Sequence, residues 1–214
     1  MIFSREHRFI SFACGRTGTT SVEQALQGYD DDVDFRRRLE ARLVELRAAT
    51  GKRYSPKHVR PGLVRQLVPV ALWDSWVKFV FVRNPWDWVL SQHCRHYAQG
   101  NQDISVKLGA AEVDAVWHRL QVNNQCPEDE SYLQSRFVFG DDGERLVDIV
   151  GRFENLQADL DRILDRLSLP RVVLPRLNAT RHSNYSCHYT PSGRKRVAQL
   201  YARDIDLLGY RFDS

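Results

Sequence analysis

No apolar run in this 214-residue chain approaches the length of a membrane span, which takes roughly 20 residues. The first residues lack the long apolar core of a secretion signal and lead almost at once into a strand pattern. Both absences give the expectation of a cytoplasmic protein with no membrane span. Cysteine is sparse. Cys14, Cys94, Cys126 and Cys187 show no C-x-x-C spacing, which argues against a zinc site or disulfide framework and for reduced thiols. Cys14 has no His or carboxylate close along the chain to activate it. Repeats, low-complexity tracts and composition breaks are also missing, so one domain over residues 1–214 is expected. An excess of one charge is nearly absent: 31 Lys and Arg face 27 Asp and Glu, for a net charge of +4. The mild basic balance suits an anionic ligand. The runs Arg36-Arg37-Arg38 and Arg194-Lys195-Arg196 read as solvated helix faces, and nucleic acid is not an expected partner. Oligomeric state is not legible in the sequence.

What is present is ordinary globular composition, 43% hydrophobic and 27% charged, with one conspicuous loop. The run Cys14-Gly15-Arg16-Thr17-Gly18-Thr19-Thr20-Ser21 follows the apolar Phe9-Ile10-Ser11-Phe12-Ala13 and precedes the helical Val22-Glu23-Gln24-Ala25-Leu26. A strand, a Gly-rich turn and a hydroxyl-rich helix start form an anion cradle. Amides at a helix N-terminus lack intrahelical partners, and the peptide dipoles favour negative charge there. The segment is close to a nucleotide P-loop but lacks its Gly-Lys-Ser/Thr ending.

Periodicity places further elements along the chain. Helices are expected over Thr19–Gln27, Asp34–Ala49 (ended by Gly51), Gly62–Leu67, Trp86–Tyr97 and Ala110–Asn123. Leu156, Leu160, Ile163, Leu164 and Leu167 mark another, and Thr190-Pro191 starts the last, with Val197, Leu200 and Tyr201 inward. Val77–Val82 is the strongest strand, near-continuous in β-branched and aromatic residues, and a second covers Leu146–Val150, continuing to Phe153. Tyr54–Arg60, Gly100–Leu108 and Pro170–Tyr189 read as irregular. Strands alternating with helices imply an α/β fold, a P-loop-like three-layer sandwich with a mostly parallel central sheet. Ligands in such folds sit at the C-terminal ends of strands, where both the Gly15 loop and Arg83 fall.

Arg83 ends its strand where a nucleotide hydrolase would commonly place a metal-binding Asp, so a second anion fits better than magnesium. The alternative for Arg83 is a surface salt bridge. Ser91, eight residues on, could add a hydroxyl to a phosphate held by that guanidinium.

These residues resemble the sulfotransferases that use 3′-phosphoadenosine 5′-phosphosulfate (PAPS), in the group that includes carbohydrate sulfotransferases. The resemblance covers most of the chain. It is carried by Arg16-Thr17-Gly18-Thr19-Thr20-Ser21, by Lys78-Phe79-Val80-Phe81-Val82-Arg83-Asn84-Pro85-Trp86-Asp87, by Lys57-His58, by Phe153-Glu154-Asn155-Leu156 and by the ending Arg203-Asp204-Ile205-Asp206-Leu207-Leu208-Gly209-Tyr210-Arg211-Phe212. It implies that residues 16–21 hold the 5′-phosphosulfate and that Arg83 and Ser91 hold the 3′-phosphate. His58 would be the general base, with Lys57 as the alternative, and Arg16 would neutralise charge on the leaving phosphate. Arg181, in the long irregular segment, either closes over the cofactor or is one Arg among many. Glu154 would be a second base, an orienting group or a structural carboxylate. No metal is implied, and the acceptor would be a small molecule or carbohydrate bearing a hydroxyl or amine. Two positions depart from the pattern: Arg16 stands where Lys is usual, and Trp88 where Arg is frequent. A kinase or nucleotidase using ATP and magnesium, or an inactive nucleotide-binding relative, are the competing readings.

Overall fold

The computed structural model describes residues 1–51, 54–97, 107–124, 133–175 and 184–213. In chain order the elements are β1 (Ile2–Ser4), β2 (Phe9–Phe12), α1 (Thr19–Leu26), α2 (Val33–Thr50), α3 (Pro61–Leu67), α4 (Val70–Ser75), β3 (Val77–Val82), α5 (Pro85–Tyr97), α6 (Ala110–Asn124), β4 (Ile149–Arg152), α7 (Leu156–Arg166), α8 (Pro191–Leu200) and α9 (Ala202–Leu208). Short 3₁₀ turns cover Gln27–Tyr29, Pro56–His58, Gln134–Phe137, Phe153–Asn155 and Tyr185–His188. No helix among the described residues is long and apolar enough to cross a membrane.

The chain forms two compact units, Met1–Val82 with Arg136–Leu177 and Arg83–Ser135 with Asn178–Ser214. Each is built from two separated segments, so no composition shift along the sequence could mark a border. The first unit holds a four-stranded sheet in the order β1-β2-β3-β4. β2, β3 and β4 run parallel, with Phe12 opposite Val80 and Val82 opposite Arg152, while β1 is antiparallel to β2. The fold is thus mixed α/β with a mostly parallel sheet. The central strand β3 is buried from Lys78 to Val82. Phe79 and Phe81 on one face pack with Phe9, with Val22 and Leu26 of α1, and with Leu160, Ile163 and Leu164 of α7. Phe81 faces Gly151 across the β3–β4 register, where a Cβ would lie 2.4 Å from the ring. Only glycine leaves room for that ring.

Several elements differ from the sequence expectation. β4 begins at Ile149, not Leu146: the Leu146 N–H donates to the Val138 carbonyl instead, next to an isolated antiparallel bridge between Phe139 and Arg145. β1 and α4 have no counterpart among the expected elements; both are too short for periodicity to show them. The final helical stretch breaks at Tyr201 into α8 and α9. Tyr54–Arg60 contains the 3₁₀ turn at Pro56–His58. α2 starts one residue before Asp34, capped by Asp32, whose carboxylate accepts from the Phe35 N–H at 2.8 Å, and closes on Gly51.

Lys78 shows how α4 ends. Its ammonium is buried, donates to the carbonyls of Trp73 and Trp76 at 2.7 Å each, and lies 3.0 Å from the Asp148 carboxylate. Carbonyls at a helix end need such donors. Lys78→Met keeps the stem and deletes the donor, and should cost about 2 kcal/mol of stability, read as a lower urea midpoint at unchanged slope.

The second unit is helical. Trp86, Trp88 and Leu90 of α5, Val113 and Val116 of α6, Val197 of α8 and Tyr201 form its core. Trp88, the departure noted above, is 5.7 Å from the Tyr201 ring and serves packing. Trp86 is equally buried, with its indole N–H donated to the Arg194 carbonyl at 3.0 Å.

Candidate functional site

The loop between β2 and α1 is held by its own atoms. The Thr17 hydroxyl is fully buried and donates to the Cys14 carbonyl at 2.8 Å. That hydroxyl closes the turn from within. Arg16 sits at φ 65 and Gly18 at φ 77, both in the left-handed region. Arg16 is a non-glycine residue in a conformation that side chains disfavour, a local strain of a kind associated with ligand loops. Gly18 is the N-cap of α1 and brings no side chain to cap it. The amides of Ser21 and Val22 turn back to the Gly18 carbonyl at 3.0 and 3.2 Å. The opening at Thr19 and Thr20 is therefore the part of the loop suited to an anion. Thr20 is exposed, whereas Thr19 and Ser21 are buried. A Cβ on Gly18 would lie 2.5 Å from Leu156 Cδ2 and 3.3 Å from Phe153 Cδ2, so the loop rests on the 153–156 turn. That contact gives the Phe153-Glu154-Asn155-Leu156 motif a structural part.

His58 lies at the same strand end. Its Nδ1 is 2.7 Å from the carbonyl oxygen of Ala13, the residue before Cys14. A carbonyl can only accept, so Nδ1 carries the hydrogen, and in the neutral ring Nε2 carries the lone pair. Burial pushes the imidazole below its ordinary value; the Ala13 carbonyl opposes this and the Lys57 charge adds to it. Lys57 itself is tied up, its ammonium 2.6 Å from Glu23 Oε2 of α1. Burial pushes the Glu23 carboxyl up, but hydrogen bonds from Lys57 and the Met1 amino group together bring it below the usual range. The alternative base is thus engaged in an ion pair with Glu23, whereas the His58 ring bonds the Ala13 carbonyl.

The second unit places Arg83 and Ser91 on α5 and its lead-in. Both are buried, Ser91 completely. Arg83 Nε donates to Asp87 Oδ2 at 2.7 Å, an i,i+4 pair that the spacing alone could have revealed. Asn84 starts α5: its side chain accepts from the Trp86 N–H at 3.1 Å, its carbonyl accepts from Trp88, and Pro85 takes the first helical position. The Asn84 amide also donates to the Arg211 carbonyl at 2.9 Å. Two residues given no part at the site by the sequence, Gln134 and Asp204, stand behind Arg83. The Gln134 side chain accepts from the Arg83 N–H and donates to the Arg83 carbonyl, each at 2.7 Å. Asp204, fully buried, accepts from the Gln134 and Ser135 amides at 2.8 Å each. Burial pushes its carboxyl up to about 6, against the pull of those donors. The signal for Asp204 was an acid on the inward stripe of α9, four residues before the buried Leu208. Arg181 lies outside the described residues.

Comparison with known proteins adds one relative. A 123-residue stretch, 58% of this chain, is 26% identical to a protein of Archaeoglobus fulgidus described as uncharacterized, of which it covers 93%. No protein-family model matches, and no solved structure matches significantly.

Proposed function

We propose that the chain is a PAPS-dependent sulfotransferase with a P-loop-like α/β sandwich. The observation that carries the reading is the His58 Nδ1–Ala13 carbonyl bond, which fixes the ring at the end of the strand that leads into the proposed anion-binding loop, while burial favours its neutral form. Transfer to a hydroxyl or amine calls for a base within reach of the acceptor proton, and Nε2 of the neutral ring supplies one. In this reading the amides at Thr19 and Thr20, with Arg16, take the 5′-phosphosulfate, and Arg83 and Ser91 take the 3′-phosphate. The acceptor oxygen bonds to sulfur as its proton passes to His58 Nε2. The bond from sulfur to the bridging oxygen breaks, and 3′-phosphoadenosine 5′-phosphate leaves with that oxygen. Arg16 and the loop amides stabilise the negative charge that grows on the leaving phosphate. The acceptor is a small molecule or carbohydrate with a hydroxyl or amine. Arg16 keeps the positive charge of the usual Lys but spreads it over a planar fork, which favours gripping the phosphate over following the transferred group.

The test has two arms. Calorimetric titration of 3′-phosphoadenosine 5′-phosphate should show binding that Arg83→Ala weakens by about 1.5 kcal/mol or more. A panel of hydroxyl and amine acceptors with labelled sulfate donor should yield labelled product. Equal affinity in variant and parent rejects Arg83 as a ligand. Binding of ATP with magnesium but not of the bisphosphate rejects the reading.

A further inference from the structure

β3 ends at Val82, so the peptide groups of Arg83 have left the ladder. A donor and an acceptor just past a strand end must find partners elsewhere when buried. One side chain supplies both. The Gln134 amide pairs with the Arg83 N–H and C=O as a neighbouring strand would, and Gln134 is itself buried. Its backbone is in turn fixed by Asp204, whose two carboxylate oxygens accept the successive amides of Gln134 and Ser135. From the other side Asp87 holds the Arg83 Nε edge.

A buried carboxylate is a costly way to satisfy two amides. Water or a capping hydroxyl would serve if the turn were only a connection. The arrangement is explicable when the position of the residue at its far end matters. That residue is Arg83, whose peptide is held at both polar atoms and whose guanidinium is held at Nε. We propose that Gln134 and Asp204 are positioning residues for Arg83, fixing its main chain so that its guanidinium is preset for the nucleotide's 3′-phosphate. The inference rests on the reading of Arg83 as a phosphate ligand. Neither residue touches the nucleotide in this account. Their effect runs through Arg83 alone, and an ordered guanidinium binds more tightly because less freedom is lost on binding.

A double-mutant cycle on the intact chain tests this. The bisphosphate nucleotide is titrated into the parent, Gln134→Met, Arg83→Ala and the double variant, with Asp204→Asn as an isosteric second probe of the same path. Gln134→Met should weaken binding about tenfold in the parent and by less than about twofold when Arg83 is already Ala. Asp204→Asn should move affinity in the same direction by a smaller factor. A merely structural role would lower the unfolding midpoint but leave the cycle additive, and additive loss, or parental affinity in Gln134→Met, overturns the inference. Exchange of the Arg83 Nε–H, followed by NMR without nucleotide, separates this from the underlying reading. If the parent binds no nucleotide, the phosphate reading falls. Faster Nε–H exchange in Gln134→Met then still supports positioning, and unchanged exchange rejects it.

Discussion

His58→Ala should lower the single-turnover rate of sulfate transfer by roughly 100-fold or more while leaving nucleotide affinity almost unchanged. The size follows from removing the imidazole proposed as the base at the end of β2, with the Lys57 side chain paired to Glu23. The better-controlled variant is His58→Asn. Its amide N–H can still donate to the Ala13 carbonyl, so the 2.7 Å tie to the loop has a substitute while the basic nitrogen is gone. If the two variants lose rate equally, the loss belongs to the base. If His58→Asn retains the parental rate, His58 is a structural tether and another group takes the proton.

The same residue sets a pH dependence. Its folded-state pKa lies below the ordinary 6.5, chiefly through burial. The neutral ring is therefore the form favoured by folding. Its contribution to stability is complete above 6.5 and falls away as the pH drops through and below that value. The rate should follow the same limb: flat near neutrality, declining on the acid side below 6.5, and without that decline in His58→Asn. A basic imidazole titrating above 7 would contradict the burial and remove the argument for a base ready at neutral pH.

How much of this was legible in the sequence depends on the range over which each signal acts. The loop at 14–21, the strand Val77–Val82 and the stripe on α7 follow from local patterns, and each stands where periodicity put it. The division of labour within the loop was not legible. Thr17, Thr19, Thr20 and Ser21 look alike as donors along the chain, but Thr17 turns inward to Cys14 and only Thr20 is exposed. The tautomer of His58 depends on a carbonyl 45 positions away, and the clamp on Arg83 depends on residues 51 and more positions away. No spacing rule spans such distances. The interleaved units hide for the same reason, since each draws on two distant segments. Asp87 is the exception: four residues from Arg83 on one helix, it could have been paired by spacing.

Gly18→Ala is expected to be the most damaging single-atom change in the loop. Two independent terms act at this residue. Its φ of 77 is a conformation that Ala adopts at a cost of about 1 kcal/mol relative to Gly. Its new methyl would also sit 2.5 Å from Leu156 Cδ2, an overlap that this half-buried side chain must move to relieve, at a cost of about 1–3 kcal/mol. Together they predict a loss of about 3 kcal/mol in urea unfolding, along with weaker nucleotide binding as the loop shifts off α7. Gly15 is the internal comparison: a Cβ there meets nothing within 4 Å and its φ is not positive. Gly15→Ala should therefore stay within about 0.5 kcal/mol of the parent. Combining Gly18→Ala with Leu156→Ala separates the two terms, because the truncation removes the overlap but not the backbone strain. The Gly18 substitution should then cost only about 1 kcal/mol, measured against Leu156→Ala alone. An undiminished cost in that background would mean that the strain lies wholly in the main chain. No cost in either background would mean that the left-handed turn at Gly18 is not what holds the anion loop open.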